Sequence, residues 1–268
     1  VTELLRGCRA KFQRSGELLK GFSSEIEKFA TSTPLPYQTS AYLLDDGLSY
    51  IFEARMLEPV PDRFSVLAGE IVHHLASGLD HLFCALVIRN GMKVRRNHYF
   101  PIFTKKDHFE RECANGLLDD VSRSTSDLIR SMQPCYQLPQ PELTVLAALK
   151  SFNNTDKHRL LNVAGGAGNL GQNIVIGSGV AKSGRLPGVV GFGNPAFVRL
   201  GKKSVEYFRI NFGEPMRHIE ATADFSFEIV FEEIAGAENL LAVKLLSGLR
   251  QGVEHTVRMF EGELGEQL

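Results

Sequence analysis

Gly69-Glu70-Ile71-Val72-His73-His74-Leu75-Ala76-Ser77-Gly78-Leu79-Asp80-His81-Leu82 sets three histidines and two carboxylates inside a helical apolar pattern. At about 100° per residue, Ile71, Leu75, Leu79, Leu82 and Leu86 share one arc of the wheel. Glu70, His74, Ser77 and His81 share a second arc, with His73 and Asp80 beside it. The stretch therefore predicts a packed helix with a polar seam.

A second stretch, Asn153-Asn154-Thr155-Asp156-Lys157-His158-Arg159-Leu160-Leu161, has the same character. Leu146, Leu149 and Leu160 fall on one helical face, and Asn153 and Asp156 fall on it with them. Burying either polar side chain without a partner costs on the order of a few kcal/mol, so both are expected to be hydrogen-bonded. Ser77, His73, His74 and His81 offer donors. The two helices are expected to meet, with Asp156 or Asn153 orienting a histidine.

Working outward, residues 2–30 predict a helix with Leu5, Cys8, Phe12, Ser15, Leu19, Phe22, Ile26 and Phe29 at steps of three and four. Residues 37–44 and 48–57 predict a β-hairpin around Asp45-Asp46-Gly47, where glycine supplies the positive φ of a tight turn. A long helix is expected over 63–89, stopped by Asn90-Gly91. Residues 106–132 read as helical with a break near Asn115-Gly116, and 133–141 as a Pro-rich connection. A further long helix is expected over 141–163, ended by Gly165-Gly166. Strands are expected at 172–177, 188–200, 205–212 and 223–233. A final helix, 238–262, carries the stripe Ala242, Leu246, Leu249, Val253 and Phe260.

The fold class is thus α+β: a helical core of two long motif helices plus the terminal helices, with an N-terminal β-hairpin and C-terminal antiparallel strands. Residues 1–268 read as a single domain. The Gly-rich stretch at 165–171 offers a possible subdivision into 1–164 and 165–268.

Composition bounds the function. The chain has 268 residues, 43% hydrophobic and 23% charged, with formal net charge −1. No global charge bias calls for nucleic acid or an anionic membrane, so such a partner needs a local patch. Cys8, Cys84, Cys113 and Cys135 form no CxxC pair, which reads as reduced thiols in a cytoplasmic protein. No membrane span is expected, since the longest fully apolar run, 82–88, is too short to cross a bilayer.

Motif-like stretches lack the context their chemistry needs. Glu70-Ile71-Val72-His73 is an ExxH unit, but dimetal bundles need a second one and further carboxylates. HExxH is absent, so no metal and no cofactor are expected. Residues 166–171 match GxGxxG. A dinucleotide fold would place a strand before that motif and a helix after it, whereas here a helix precedes and a strand follows, so the stretch reads as a flexible connection. Lys93, Arg95, Arg96, Lys105 and Lys106 bracket His98, Tyr99 and Phe100. Basic residues interleaved with aromatics suit a phosphate backbone and a stacked base, and equally suit a solvated loop.

In their order along the chain, these segments resemble a group of uncharacterised bacterial proteins. That group runs from G-D-x-x-H-N-L-R-S-A-L-D-H-L through F-P-I and Q-P-Y to a helix ending in D-K-H-R. Gly69, His73, Leu75, Ser77, Leu79, Asp80, His81 and Leu82 match the first segment. Phe100-Pro101-Ile102, Gln133-Pro134 and Asp156-Lys157-His158-Arg159 match the others. The resemblance spans about 37–163 and implies no established activity.

The R-S-A-L-D-H segment also has the R-x4-H spacing of HEPN-type ribonuclease helices, whose arginine and histidine act on the RNA phosphate and ribose. His81 matches that histidine, but Ala76 stands at the arginine position. Glu70 replaces the family's Asp, and His74 its Asn. The analogy thus implies an RNA-binding protein that has lost its bidentate phosphate donor, unless Arg159 or Arg95 lies near His81.

The candidate catalytic residues are His81, His73, Asp80, Asp156, His158 and Arg159. The candidate binding residues are Lys93, Arg95, Arg96 and Asn153. The leading expectation is a non-catalytic binding or interaction module with a polar lock between two core helices. A homodimer through helix faces is a further possible partner, alongside RNA at the basic loop. The alternative is an HEPN-like RNA-binding or RNA-cleaving protein.

Overall fold

A computed structural model describes residues 3–137, 139–168, 174–176, 179–181, 189–193, 198–217, 219–232, 240–265 and 267–268. The fold is α+β, 49% helical and 19% strand. It forms two compact units. The first comprises residues 1–22, 65–161 and 243–268, and the second residues 23–64 and 162–242. The hairpin groups with the later strands and the C-terminal helix with the earlier helices, and one crossing between the units, Leu161 to Asn162, falls just ahead of the Gly-rich stretch.

The helical unit is built from α1 (Arg6–Ala30, whose residues after Phe22 belong to the second unit) and α2 (Asp62–Arg89, from Ser65 onward). To these it adds α3 (Lys106–Ala114), α4 (Arg123–Ser131), the short α5 (Pro134–Gln137), α6 (Val145–His158), α7 (Ala242–Arg258, from Val243 onward) and the short α8 (Glu261–Leu264). The apolar arc of α2 is buried: Ile71, Leu75, Leu79, Leu82 and Leu86 are at most 2% exposed. Phe12 and Phe22 of α1, Leu149 and Phe152 of α6, and Leu246, Leu249, Val253 and Phe260 join the core.

α2 ends at Asn90-Gly91, as its sequence predicts. Gly91 N donates to Ile88 O and Met92 N to Val87 O, which ties off the last carbonyls. By length and composition α2 is also apolar enough to cross a membrane, with mean hydropathy 1.5. However, 56% of that window is buried within the fold, as in a core helix.

The helices approach closely where side chains are small. The Cys8 thiol donates to Gly78 O at 3.1 Å, and burial pushes that thiol up to about 12. At Gly69 the close neighbour is Asp156 of α6, and a Cβ there would lie 2.5 Å from Asp156 Cγ. α2 and α6 therefore pack directly.

Among the described residues the second unit holds three antiparallel sheets. β1 (Tyr37–Leu43) and β2 (Ser49–Met56) form the expected hairpin, with Gly47 at φ 71°. β3 (Val163–Gly168), β4 (Ile174–Ile176), β5 (Gly179–Ala181), β6 (Val189–Gly193), β7 (Val198–Arg199), β8 (Val205–Phe212), β9 (Ala221–Ala223) and β10 (Ser226–Phe231) follow. The strand orders are β1-β2-β8-β6, β10-β3-β7 and β5-β4-β9. Tyr50, Phe52, Tyr207, Phe208, Ile210 and Phe212 fill the core beside the largest sheet.

Several sequence expectations are corrected here. α6 starts after Thr144, whose hydroxyl caps it by accepting from Ala147 N, because Pro141–Leu143 forms a 3-10 turn. It stops at His158, short of residue 163. Val163–Gly168 is a strand paired with β10 and not a connection. Its small residues leave room for neighbouring side chains, with Val230 against Gly166 and Met56 against Gly165. Residues 169–171 of the GxGxxG match lie outside the described residues. The expected 223–233 strand is β10, shorter at Ser226–Phe231, with a separate short strand, β9, just before it at Ala221–Ala223.

Candidate functional site

The segment Phe100–Phe103 has little regular structure of its own, and three side chains from three elements hold it. Asp80 Oδ1 of α2 accepts from Phe100 N at 3.0 Å. Gln133, fully buried just before α5, donates through Nε2 to Pro101 O at 2.9 Å and to Ile129 O at 3.2 Å. Its Oε1 accepts from Phe103 N at 3.0 Å. Lys150 of α6 donates to Ile102 O at 2.6 Å, and its ammonium lies 5.1 Å over the Phe103 ring. Cys135 N donates to Phe103 O. Every residue from Phe100 to Phe103 thus has a backbone group spoken for, which fixes an irregular segment that propensity alone would leave loose.

Behind this segment lies a cavity of about 460 Å³. Ala76, Leu79 and Leu149 form apolar wall, Tyr99 and Phe103 aromatic wall, and the polar lining mixes the acids Asp80 and Glu112 with the bases Arg111, Lys150 and Lys157 and with His108, Asn153 and Asn154. The volume is in the usual range for small-molecule sites. Asn153 also lines it, but its Oδ1 is sealed from solvent and has no hydrogen-bond partner among the described residues. Burial pushes the Asp80 carboxyl above its ordinary value, against the Phe100 N–H and the nearby Lys157, His81 and His73.

The sequence candidates divide among several places. Asp80 and Asn153 face this cavity. His73, His74, Glu70 and Asp156 border a second hollow of about 300 Å³ with Arg14. His81 is exposed beside α1, with its ring where a Cβ on Gly7 would lie. His158 and Arg159 are exposed at the end of α6. Arg95, itself exposed, joins a separate arrangement around the largely buried side chains of His98 and Asp120. Its backbone N–H donates to His98 Nδ1 at 3.1 Å, His98 Nε2 lies 2.8 Å from Asp120 Oδ2, and its guanidinium pairs with the same oxygen. An accepting Nδ1 makes His98 the neutral Nε2–H tautomer, so Nε2 donates to Asp120. Lys93 and Arg96 are exposed.

The expected bond from Asn153 or Asp156 to a histidine is absent. No hydrogen bond or ion pair joins Asp156 to His73, and Asn153 Oδ1 has no partner among the described residues. The reason is geometric. Asp156 is seated over the bare Cα of Gly69, where it meets His73 only through the field between them. Burial raises the Asp156 carboxyl, with His73 opposing and Glu70 adding. His74 is lowered, first by burial and then by Lys11 and His73, and its Nδ1 is buried without a partner among the described residues. Among the described residues no three His, Cys, Asp or Glu side chains are grouped as metal ligands.

Sequence reasoning missed Gln133 and Lys150 as holding groups. The ordered F-P-I and Q-P segments carried that signal, since Gln133 grips the Phe-Pro-Ile backbone directly.

The raised Asp156 carboxyl sets a sign for pH dependence. A raised folded pKa means that the folded state holds its proton longer than the unfolded chain. That contribution is complete below the ordinary value of 3.8 and is lost as pH rises through the folded pKa. Asp156→Asn is therefore expected to match wild type near pH 4 and to be at least as stable at pH 7. Denaturant midpoints at the two pH values check this. A growing deficit of the Asn variant toward pH 7 would mean that the carboxylate is paired.

Comparison with protein-family models, curated proteins and solved structures gives no match to this chain. What the molecule defines by itself is an α+β protein whose helical unit holds a preformed cavity behind a pinned aromatic segment.

Proposed function

We propose that this protein is a non-catalytic binding module and that its ligand occupies the cavity between α2, α6 and Phe100–Phe103. The observation that carries this reading is the cavity of about 460 Å³ itself, walled by apolar and aromatic side chains and by a segment that Asp80, Gln133 and Lys150 hold in place. Pinning the segment beforehand leaves little ordering to do on binding, which favours affinity.

The test is ligand-observed NMR with a library of small polar aromatics, on wild type and on Ala76→Phe, which fills the cavity from α2. Compounds that bind wild type and lose binding in Ala76→Phe support the reading. A library with no such compound, while Ala76→Phe remains folded, removes it.

A second reading, an HEPN-like RNA-binding or RNA-cleaving protein, is favoured by the exposure of His81 and of the basic residues Lys93 and Arg96. Against cleavage stands Ala76, which lines the cavity and supplies no cation. Losing one donor to developing charge costs about 100- to 1,000-fold in rate. Wild type is therefore expected to cleave labelled RNA weakly or not at all. Robust wild-type cleavage that disappears in His81→Ala would instead establish an enzyme. Cleavage only by Ala76→Arg would support a degenerate HEPN-like site.

A further inference from the structure

The chain that leaves α2 lines neither the cavity nor the second hollow, and it presents an uncommon mixture to water. Every residue from 88 to 97 is exposed. The stretch carries Arg89, Lys93, Arg95 and Arg96 and no acid. Among these bases stand three large aliphatic side chains: Ile88 is 48% exposed, Met92 43% and Val94 38%. Single exposed aliphatics are ordinary, but three so close along one short stretch make a patch that calls for a partner.

The fold holds this loop away from the core. Gly91, at φ 76°, turns the chain at the end of α2. Just before it, Asn90 Nδ2 donates to Asp120 O at 3.1 Å. On the far side, His98 Nε2 lies 2.8 Å from Asp120 Oδ2, and the Arg95 guanidinium pairs with the same oxygen. Both feet of the loop thus stand on one residue. Residues 91–94 are closed between them, which leaves Met92 and Val94 little freedom to fold back.

The charges divide by their commitments. Arg95 is paired with Asp120, and Arg89 Nε donates to Glu263 O at 3.3 Å. Lys93 and Arg96 have no ion-pair partner among the described residues. Of the acids at the border, Asp120 is taken by His98 and Arg95. The Glu263 carboxylate accepts from the Ser122, Ser124 and Thr125 hydroxyls. Asp119, exposed beside Asp120 in the chain, offsets part of the free positive charge.

A partner for this surface must meet free cations and aliphatic groups together. RNA meets the cations but gains little from Ile88, Met92 and Val94, because its bases stack on aromatic rings. An anionic lipid surface meets both: its phosphate and carboxylate groups take the bases, and the headgroup–acyl boundary takes the aliphatic side chains. We propose that the loop over 88–97 docks this protein reversibly on an anionic membrane surface. Met92 and Val94 enter the boundary, Ile88 lies beside them, and Lys93 and Arg96 meet the headgroups. α2 stays in the protein core, and the docking is independent of what fills the cavity.

The test is flotation with vesicles of phosphatidylcholine alone and with about 30% phosphatidylserine, at about 0.1 M and 0.5 M salt. Wild type is expected to float with the anionic vesicles at low salt, to be released at high salt, and to ignore the neutral ones. At roughly fivefold per base, Lys93→Ser with Arg96→Ser is expected to weaken partitioning about 30-fold. Met92→Ser with Val94→Ser is expected to weaken it about 10-fold at unchanged charge. All four positions are exposed, so both double variants are expected to keep the wild-type denaturant midpoint.

No flotation of wild type with anionic vesicles overturns the proposal, as does equal flotation with neutral ones. Anionic binding that survives Met92→Ser with Val94→Ser reduces the effect to charge alone and overturns the docking geometry. Binding of a single-stranded oligouridine that needs Lys93 and Arg96, without vesicle binding, assigns the loop to RNA instead.

Discussion

Gln133→Leu is expected to lower the unfolding free energy by about 3 kcal/mol. Gln133 is fully buried, and its amide makes three hydrogen bonds to backbone groups of other residues. Leucine keeps comparable bulk and removes all of them, leaving Pro101 O and Phe103 N without their side-chain partner. Each buried backbone group left unmade costs roughly 1–3 kcal/mol, and partial access of water at Phe103 lowers the sum. Chemical denaturation gives the global effect. Hydrogen exchange at the Phe103 amide gives the local one, and it should speed up beyond what the global loss explains.

Gln133→Glu sharpens the assignment. An ionised glutamate still accepts from Phe103 N but cannot donate to Pro101 O. It is expected to be as damaging as leucine at pH 7 and to recover at acidic pH, where a protonated carboxyl regains a donor. A leucine variant within about 0.5 kcal/mol of wild type, the range of an ordinary surface change, would mean that Gln133 does not hold the segment.

Gln133 also marks where the sequence stops being readable. The helices follow from local pattern: the arc Ile71-Leu75-Leu79-Leu82 and the stripe Ala242-Leu246-Leu249-Val253 are buried as their spacing requires. The hairpin follows from Asp45-Asp46-Gly47, because a turn with positive φ is a local requirement. β3 does not follow. Val163-Ala164-Gly165-Gly166-Ala167-Gly168 has almost no β propensity, and it is a strand because β10 and β7 pair with its two edges. Pairing partners distant in sequence leave no periodic trace.

The site divides in the same way. Asp80 and Asn153 are visible as polar residues in apolar helices. That they face one cavity, and that Asp156 and His73 face another, depends on how α2 and α6 are rotated against each other. A wheel gives the angle of a residue on its own helix and not the angle between helices. The expected histidine bond failed at that step. Asp156 does lie on the face of α6 that meets α2, but it meets glycine there.

That contact yields the second large effect. In an ordinary helix interior, Gly→Ala is favourable by up to about 1 kcal/mol, because alanine has less backbone freedom to lose. Gly69→Ala is expected to reverse that sign and cost about 2 kcal/mol, since the new Cβ would fall within the Asp156 carboxyl group. Asp156 is short and already half-buried, so its carboxyl can clear the methyl only by turning out of the α2–α6 contact or by separating the helices. Truncation of the clashing group should restore the ordinary sign. In an Asp156→Ala background, Gly69→Ala is expected to be neutral or to stabilise by up to about 1 kcal/mol, a coupling of about 2–3 kcal/mol between two positions 87 apart in sequence. Denaturant midpoints for the four members of the cycle measure it. If Gly69→Ala stabilises the wild-type background, Asp156 does not sit on α2. If it destabilises both backgrounds equally, the crowding comes from another neighbour. Because Asp80 on α2 and Asn153 on α6 line one cavity, the contact that seats Asp156 against Gly69 also sets how far apart the two helical walls of that cavity stand.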